Sequence, residues 1–179
     1  MQFLHNHEDF RFFIQEVSKQ IGLETFIVEK DYWVTFILKN LTKSEFAGEI
    51  VFKGGTCLSK AYNLIERFSE DVDLLMLETE NTQSKTQKEK RLIAIREFVN
   101  SLDNLSYTTG NRSQLYAAFK YEFPSLTPAI GVVTKEILIE PGYRGGIMPK
   151  VEKRLITSFV ENALHNKLDS YDIKPFEIN

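Results

Sequence analysis

The chain of 179 residues carries 22 Lys and Arg against 25 Asp and Glu, a net charge of -3, with 42% hydrophobic and 26% charged residues. That length suits one domain, or one domain with a small attachment, and the composition is that of a soluble chain with a real core. It excludes a uniformly basic, nucleic-acid-coating surface, though not a local basic patch.

No run approaches the roughly 18–20 apolar residues of a membrane helix, and the first residues have neither the basic nor the apolar region of a secretion signal. The single Cys57 excludes an internal disulfide and points to a reducing, cytoplasmic setting.

Phe10, Phe13, Ile14, Val17 and Ile21 recur at helical spacing, so residues 8–21 are expected to form a helix that Gly22 ends. A second helix is expected from residue 24 or 25 to 41, with Phe26, Ile27, Trp33, Phe36, Ile37 and Leu41 available for burial. Inside it, Glu29-Lys30-Asp31-Tyr32-Trp33 sets three charges beside two aromatics. The cluster reads first as a solvated face beside a core stripe. The alternative is that Lys30 or Asp31 turns inward toward a site. His5 and His7 have no nearby third ligand and read as frayed terminal residues rather than metal ligands.

Residues 49–52 read as a short strand, Gly54-Gly55 as a turn, and 56–65 as a helix with Leu58, Ala61, Tyr62 and Ile65 on one face. Residues 71–77 form an apolar strand, expected to be central and covered on both sides. A polar stretch over 78–90 follows, and its Lys85, Lys88, Lys90 and Arg91 read as a solvated helix start, with phosphate contact as the alternative. The helix continues over 93–102.

Tyr107-Thr108-Thr109 reads as a strand, Gly110-Asn111 as a turn, and 115–123 as the hairpin partner. A strand over 132–140 is expected to stop at Pro141-Gly142, with Tyr143-Arg144-Gly145-Gly146 as a loop, a helix over 154–165 and a last strand over 174–178. The pattern is an α/β chain: a mixed sheet flanked by helices, with an N-terminal helical pair.

The chemistry concentrates between residues 52 and 74. The Gly54-Gly55 turn offers backbone N–H groups at a helix start and lets phosphate approach without a Cβ clash, and Thr56 and Ser59 add hydroxyls. Cys57, in the same helix, reads as a buried inert thiol, with a lowered thiol pKa as the alternative. Asp71 and Asp73, at i and i+2, share one face of a strand, where two carboxylates repel unless a cation such as Mg²⁺ lies between them. Glu140 is the best placed third acid, with Glu136 in reserve on the same strand face. A lone Gly-Gly or Asp-x-Asp is weak. In this order, with a later strand acid, they point to nucleotidyl transfer, which needs a held triphosphate, Mg²⁺ and an activated hydroxyl. No Walker A phosphate loop is present.

Lys53-Gly54-Gly55-Thr56-x-Leu58-Ser59-Lys60-Ala61-Tyr62, followed by Arg67-Phe68-Ser69-Glu70-Asp71-x-Asp73-Leu74, closely resembles the AbiE-type abortive-infection nucleotidyltransferase toxin family, of the DNA polymerase β-like superfamily. Glu29-Lys30-Asp31-Tyr32-Trp33-Val34 is similar to the family's N-terminal helix signature. Ile139-Glu140-Pro141-Gly142-Tyr143-Arg144 is similar to its acid-bearing strand, with Pro-Gly as a departure.

The resemblance implies one nucleotidyltransferase-like domain over 1–179, with N-terminal helices over 1–45 and the catalytic core over 46–179. It implies a toxin partnered by a cognate antitoxin, acting in phage defence, using Mg²⁺ and an NTP, and modifying an acceptor such as a tRNA 3′ end. Asp71, Asp73 and Glu140 would be the catalytic metal ligands, and Gly54, Gly55, Thr56, Ser59 and Ser69 would hold the nucleotide. In the family a strand like 176–179 leads into a C-terminal helical region with a Lys-containing motif, which this sequence lacks. The alternative is therefore a truncated, catalytically impaired relative that only binds nucleotide or antitoxin. A third reading keeps the chemistry and changes the acceptor to a small molecule or a protein side chain.

Overall fold

The apolar spacing of the N-terminal segments builds two helices, α1 (Phe10–Ile21) and α2 (Thr25–Thr42). Gly22, at φ 70°, takes the left-handed turn that closes α1. The computed structural model describes residues 2–64, 71–128, 134–144, 151–165, 167–168 and 170–179. Strand β1 (Ile50–Lys53) leads directly into α3 (Gly54–Lys60), and β2 (Val72–Met76) precedes α4 (Lys85–Asn100). Three strands follow: β3 (Ser106–Arg112), β4 (Ala117–Glu122) and β5 (Glu136–Gly142). A short β6 (Arg154–Ile156), α5 (Phe159–Leu164) and β7 (Phe176–Ile178) complete the order.

The main sheet runs β1-β2-β5-β4-β3, with β2 and β5 parallel and the other neighbours antiparallel. Alternation gives it two unlike faces. Ile50, Phe52, Val72, Leu74, Met76, Phe119, Tyr121, Ile137 and Ile139 join one core with side chains of α1, α2 and α4. On the other face Val51, Lys53, Asp73, Lys120, Glu136 and Glu140 are only half-buried. Strand β2 therefore lies inside the sheet, but it is not covered on both sides along its length: at Asp73 it opens to solvent.

The charged stretch of α2 departs most from expectation. Glu29, Lys30 and Asp31 are 0%, 0% and 2% exposed, so the solvated-face reading is wrong. Other elements supply each with partners, as buried charges require. The Glu29 carboxylate accepts from Ser125 Oγ (2.8 Å), Leu126 N (2.7 Å), and both N (3.1 Å) and Oγ1 (2.6 Å) of Thr127. Lys30 Nζ donates to the Thr134 carbonyl at 2.7 Å, and Asp31 accepts from Lys60 Nζ and, at 2.9 Å, from Phe159 N. Lys39 reaches Glu161 at 3.0 Å.

His5 is not frayed either. Its ring stacks on Trp33, with centroids 4.6 Å apart, and bonds to the Tyr32 hydroxyl (2.8 Å) and to Asp103 (3.1 Å).

Several boundaries move for local reasons. Helix α3 ends at Lys60, and residues 65–70, where the expected helix end falls, lie outside the described residues. Helix α4 starts at Lys85 because Ser84 and Gln87 form a reciprocal capping box. In the basic run, Arg91 is clasped by Glu45 and Glu49 and Lys88 by Glu78. Gly110 and Asn111 lie within β3, and the reversal comes at Ser113–Tyr116, where Ser113 N donates to the Tyr116 carbonyl at 2.7 Å.

Pro141 and Gly142 continue β5, pairing with Leu74 and Leu75. Pro141, which has no N–H, falls in the gap between the last regular β4 pair, Phe119–Ile139, and an isolated bridge from Tyr116 to Gly142. Arg154–Ile156 is a strand paired with β7 rather than a helix, because a Ser158–Glu161 capping box delays α5 to Phe159. No helix of the described residues is long and apolar enough to cross a membrane.

Candidate active site

Strand register brings Lys53, Asp73 and Glu140 into one row across β1, β2 and β5. All three are on the open face. Lys53 Nζ lies 3.8 Å from Asp73 Oδ1. Asp71 is the residue just before β2, two positions from Asp73.

The glycine turn abuts this row. Gly54 has φ 77°, and a β-carbon there would lie 1.9 Å from Asp73 Oδ2. The main chain thus packs directly against the carboxylate, in a conformation suited to glycine. Gly55 follows in the first turn of α3, half-exposed. Thr56 is buried, and its hydroxyl donates to the Asp71 carbonyl, tying the helix start to the start of β2. Ser59 Oγ donates to the Thr56 carbonyl at 3.1 Å. At its other end α3 is anchored through Lys60 to buried Asp31, so the helix signature of α2 does face the site's support. Ser69 lies outside the described residues. Burial pushes the Cys57 thiol pKa up rather than down, so the activated-thiol alternative finds no support.

Electrostatics separate the two acids of β5. Burial first, and then the charge of Glu140, raise the Asp73 carboxyl above its ordinary pKa, with Lys53 opposing. Glu140 accepts a hydrogen bond from the Tyr116 hydroxyl. That hydroxyl is pushed up to about 12 by burial, by its bond to Glu140, and by the charges of Glu140, Asp73 and Asp71. Glu136 stands elsewhere: it is paired in register with Glu122, bridges to Lys120 at 3.1 Å and is held below its usual range mainly by that lysine.

Tyr116 is the site residue that sequence reasoning missed. Its only sequence signal is an aromatic beside an expected strand, and its place opposite Gly142 follows from the register alone.

A divalent cation is the group this chemistry implies. Among the described residues, no three or more His, Cys, Asp or Glu side chains are grouped so as to hold a metal ion as they stand. The donor set nevertheless fits a hard cation in kind. Asp73 and Glu140 are carboxylates at paired positions, and their mutual repulsion is what an intervening cation relieves.

The family model of the nucleotidyl transferase AbiEii toxins of type IV toxin–antitoxin systems matches residues 37–179. Among solved structures, the fold is similar to that of MenT4, a nucleotidyltransferase toxin from Mycobacterium tuberculosis H37Rv, with TM-score 0.51 and 17% identity over 73% of this chain. At that identity the likeness is one of fold. The matched part spans 44% of the length of MenT4. No curated protein sequence matches the chain.

Proposed function

The chain belongs to the AbiEii nucleotidyl transferase toxin family of type IV toxin–antitoxin systems, and on that premise we propose that it transfers a nucleoside monophosphate from an NTP to an acceptor hydroxyl. The observation that carries this reading is the Lys53–Asp73–Glu140 row with the Gly54 backbone against Asp73. It sets a glycine turn at a helix start beside paired carboxylates on an open sheet face.

In this reading Gly54 and Gly55 present main-chain N–H groups to the triphosphate. Ser59 and Ser69 add hydroxyls, and Thr56 holds the turn onto Asp71. Lys53 offsets negative charge at the edge of the row. Asp71, Asp73 and Glu140 would hold Mg²⁺, which when bound offsets charge on the reacting phosphate oxygens. The acceptor hydroxyl gives up its proton to water as its oxygen attacks the α-phosphorus, the bond from that phosphorus to the bridging oxygen of the β-phosphate breaks, and pyrophosphate leaves. A tRNA 3′ end is the first acceptor to test, a cognate antitoxin is the protein partner, and the setting is cytoplasmic.

The test is label transfer. Purified protein is incubated with Mg²⁺, α-labelled NTPs and total tRNA, beside an Asp71→Ala/Asp73→Ala control. Label in RNA, lost in the control, is the expected result. No transfer from any NTP to any acceptor would sink the reading. Mg²⁺-dependent NTP binding without transfer would leave a binding module, and label in protein instead of RNA would move the acceptor to a side chain.

A further inference from the structure

We infer that Tyr116 is a positioning residue for Glu140, acting on divalent-cation binding through that carboxylate alone. The inference rests on the proposed reading of Asp71, Asp73 and Glu140 as the cation site.

Tyr116 is mounted on the strand that it serves. Its backbone bridges to Gly142. On either side of it, Ser113 N donates to the Tyr116 carbonyl at 2.7 Å and Tyr143 N to the Leu115 carbonyl at 2.8 Å. The residue opposite has no side chain: a β-carbon on Gly142 would lie 3.3 Å from Tyr116 Cδ2, so the ring occupies the space over the glycine. Glu140, two positions back, is the diagonal neighbour on the same face, within reach of an aromatic side chain across a strand pair. The Tyr116 hydroxyl uses that reach to donate to Glu140 Oε1.

A hydroxyl has one proton to give, and a carboxylate has two oxygens with about four acceptor sites. The bond therefore holds the Glu140 rotamer through Oε1 and does not itself use Oε2. The donor is neutral, so the bond adds no charge to the site. This is the arrangement by which an outer partner orients a metal-ligating side chain. Without it, Glu140 must give up rotamer freedom when a cation arrives.

The experiment uses Mn²⁺ alone as probe, titrated calorimetrically into the full chain as wild type, Tyr116→Phe, Glu140→Gln, the double variant and Asp73→Ala. Tyr116→Phe is expected to weaken Mn²⁺ binding about 10- to 100-fold, the usual loss for an outer partner of a ligand, and to change nothing in the Glu140→Gln background. Gly142→Ala keeps the hydroxyl but crowds the ring, and should lower the affinity in the same direction. Unchanged or tighter binding by Tyr116→Phe overturns the inference, as does an equal loss in both backgrounds. Wild type that binds no Mn²⁺, or binds it as well as Asp73→Ala does, overturns the cation-site reading itself and the inference with it.

Discussion

The backbone of Gly54 lies against the carboxylate of Asp73, so closely that a β-carbon there would sit 1.9 Å from Oδ2. Two demands meet at this glycine: a left-handed φ of 77° and the absence of a side chain. Gly54→Ala should therefore cost at least about 1 kcal/mol in backbone strain, and it should push Asp73 out of its row with Glu140. Label transfer is expected to fall on the order of 100-fold, the usual effect of displacing a reacting group by about 1 Å. Gly48→Ala is the control, because nothing lies within 4 Å of a β-carbon at Gly48. Equal transfer by the two variants would show that the close approach has no role.

Asp73 carries a pH prediction. Its carboxyl is raised by burial and by Glu140. An acid raised in the folded state contributes stability that is fully present below its unfolded pKa and is lost as pH rises through the folded value. At neutral pH the ionised Asp73 therefore opposes folding. Asp73→Asn should melt higher than wild type at pH 7, with the difference closing toward about pH 3, where the wild-type carboxyl is also protonated. Thermal melts of both proteins from pH 3 to 8 check this. A variant that melts lower at pH 7 would mean that its contact with Lys53 outweighs the desolvation.

What the sequence made legible follows from what local periodicity can carry. Alternation alone puts Asp71 with Asp73, and Glu136 with Glu140, on shared faces. It does not say which acid of β5 meets β2; the parallel register does, by setting Glu140 against Asp73 and Glu136 against Glu122. The charges of α2 were opaque for the same reason. The groups that hold Glu29 come from residues 96 to 98 positions later, and a helical wheel cannot show a partner that another element delivers. Tyr116 is hidden more deeply still, because its role depends on the empty position at Gly142 across the sheet. The helix start at Phe159 had a local signal in Ser158-x-x-Glu161, which the expected start at 154 passed over.

Helix α2 should behave as the polar axis of the fold. Removing the Glu29 carboxylate takes the acceptor from the Thr127 hydroxyl and the Leu126 N–H, while Ser125 Oγ keeps the Thr127 carbonyl (2.7 Å) and Thr127 N keeps Ser125 Oγ (3.3 Å). Glu29→Ala is expected to destabilise the protein by about 1.5–3 kcal/mol, the range for losing hydrogen bonds to a charged group. Glu16→Ala, which removes the exposed Glu16–Lys19 pair on α1, should cost under about 0.5 kcal/mol. Urea denaturation of both variants measures the contrast, and a small loss for Glu29→Ala would mean that the loop over 125–127 rearranges to satisfy its own donors.

His5 supplies a second pH dependence, of opposite sense. Burial lowers its pKa from the ordinary 6.5, against the hydrogen bond and charge of Asp103. A base depressed in the folded state contributes stability that is present above its unfolded pKa and lost as pH falls through the folded one. Wild type should therefore lose stability as pH drops below about 6.5. His5→Phe retains an aromatic ring against Trp33 but has no proton to gain, so its loss over that window should be flatter. Asp103→Asn removes the carboxylate that favours the charged ring, so the His5 titration should move lower still and the loss extend further into acid. Proton NMR titration of the His5 ring, beside denaturation at each pH, checks both. A His5 that titrates at or above 6.5 would show that Asp103 outweighs burial in the stack with Trp33.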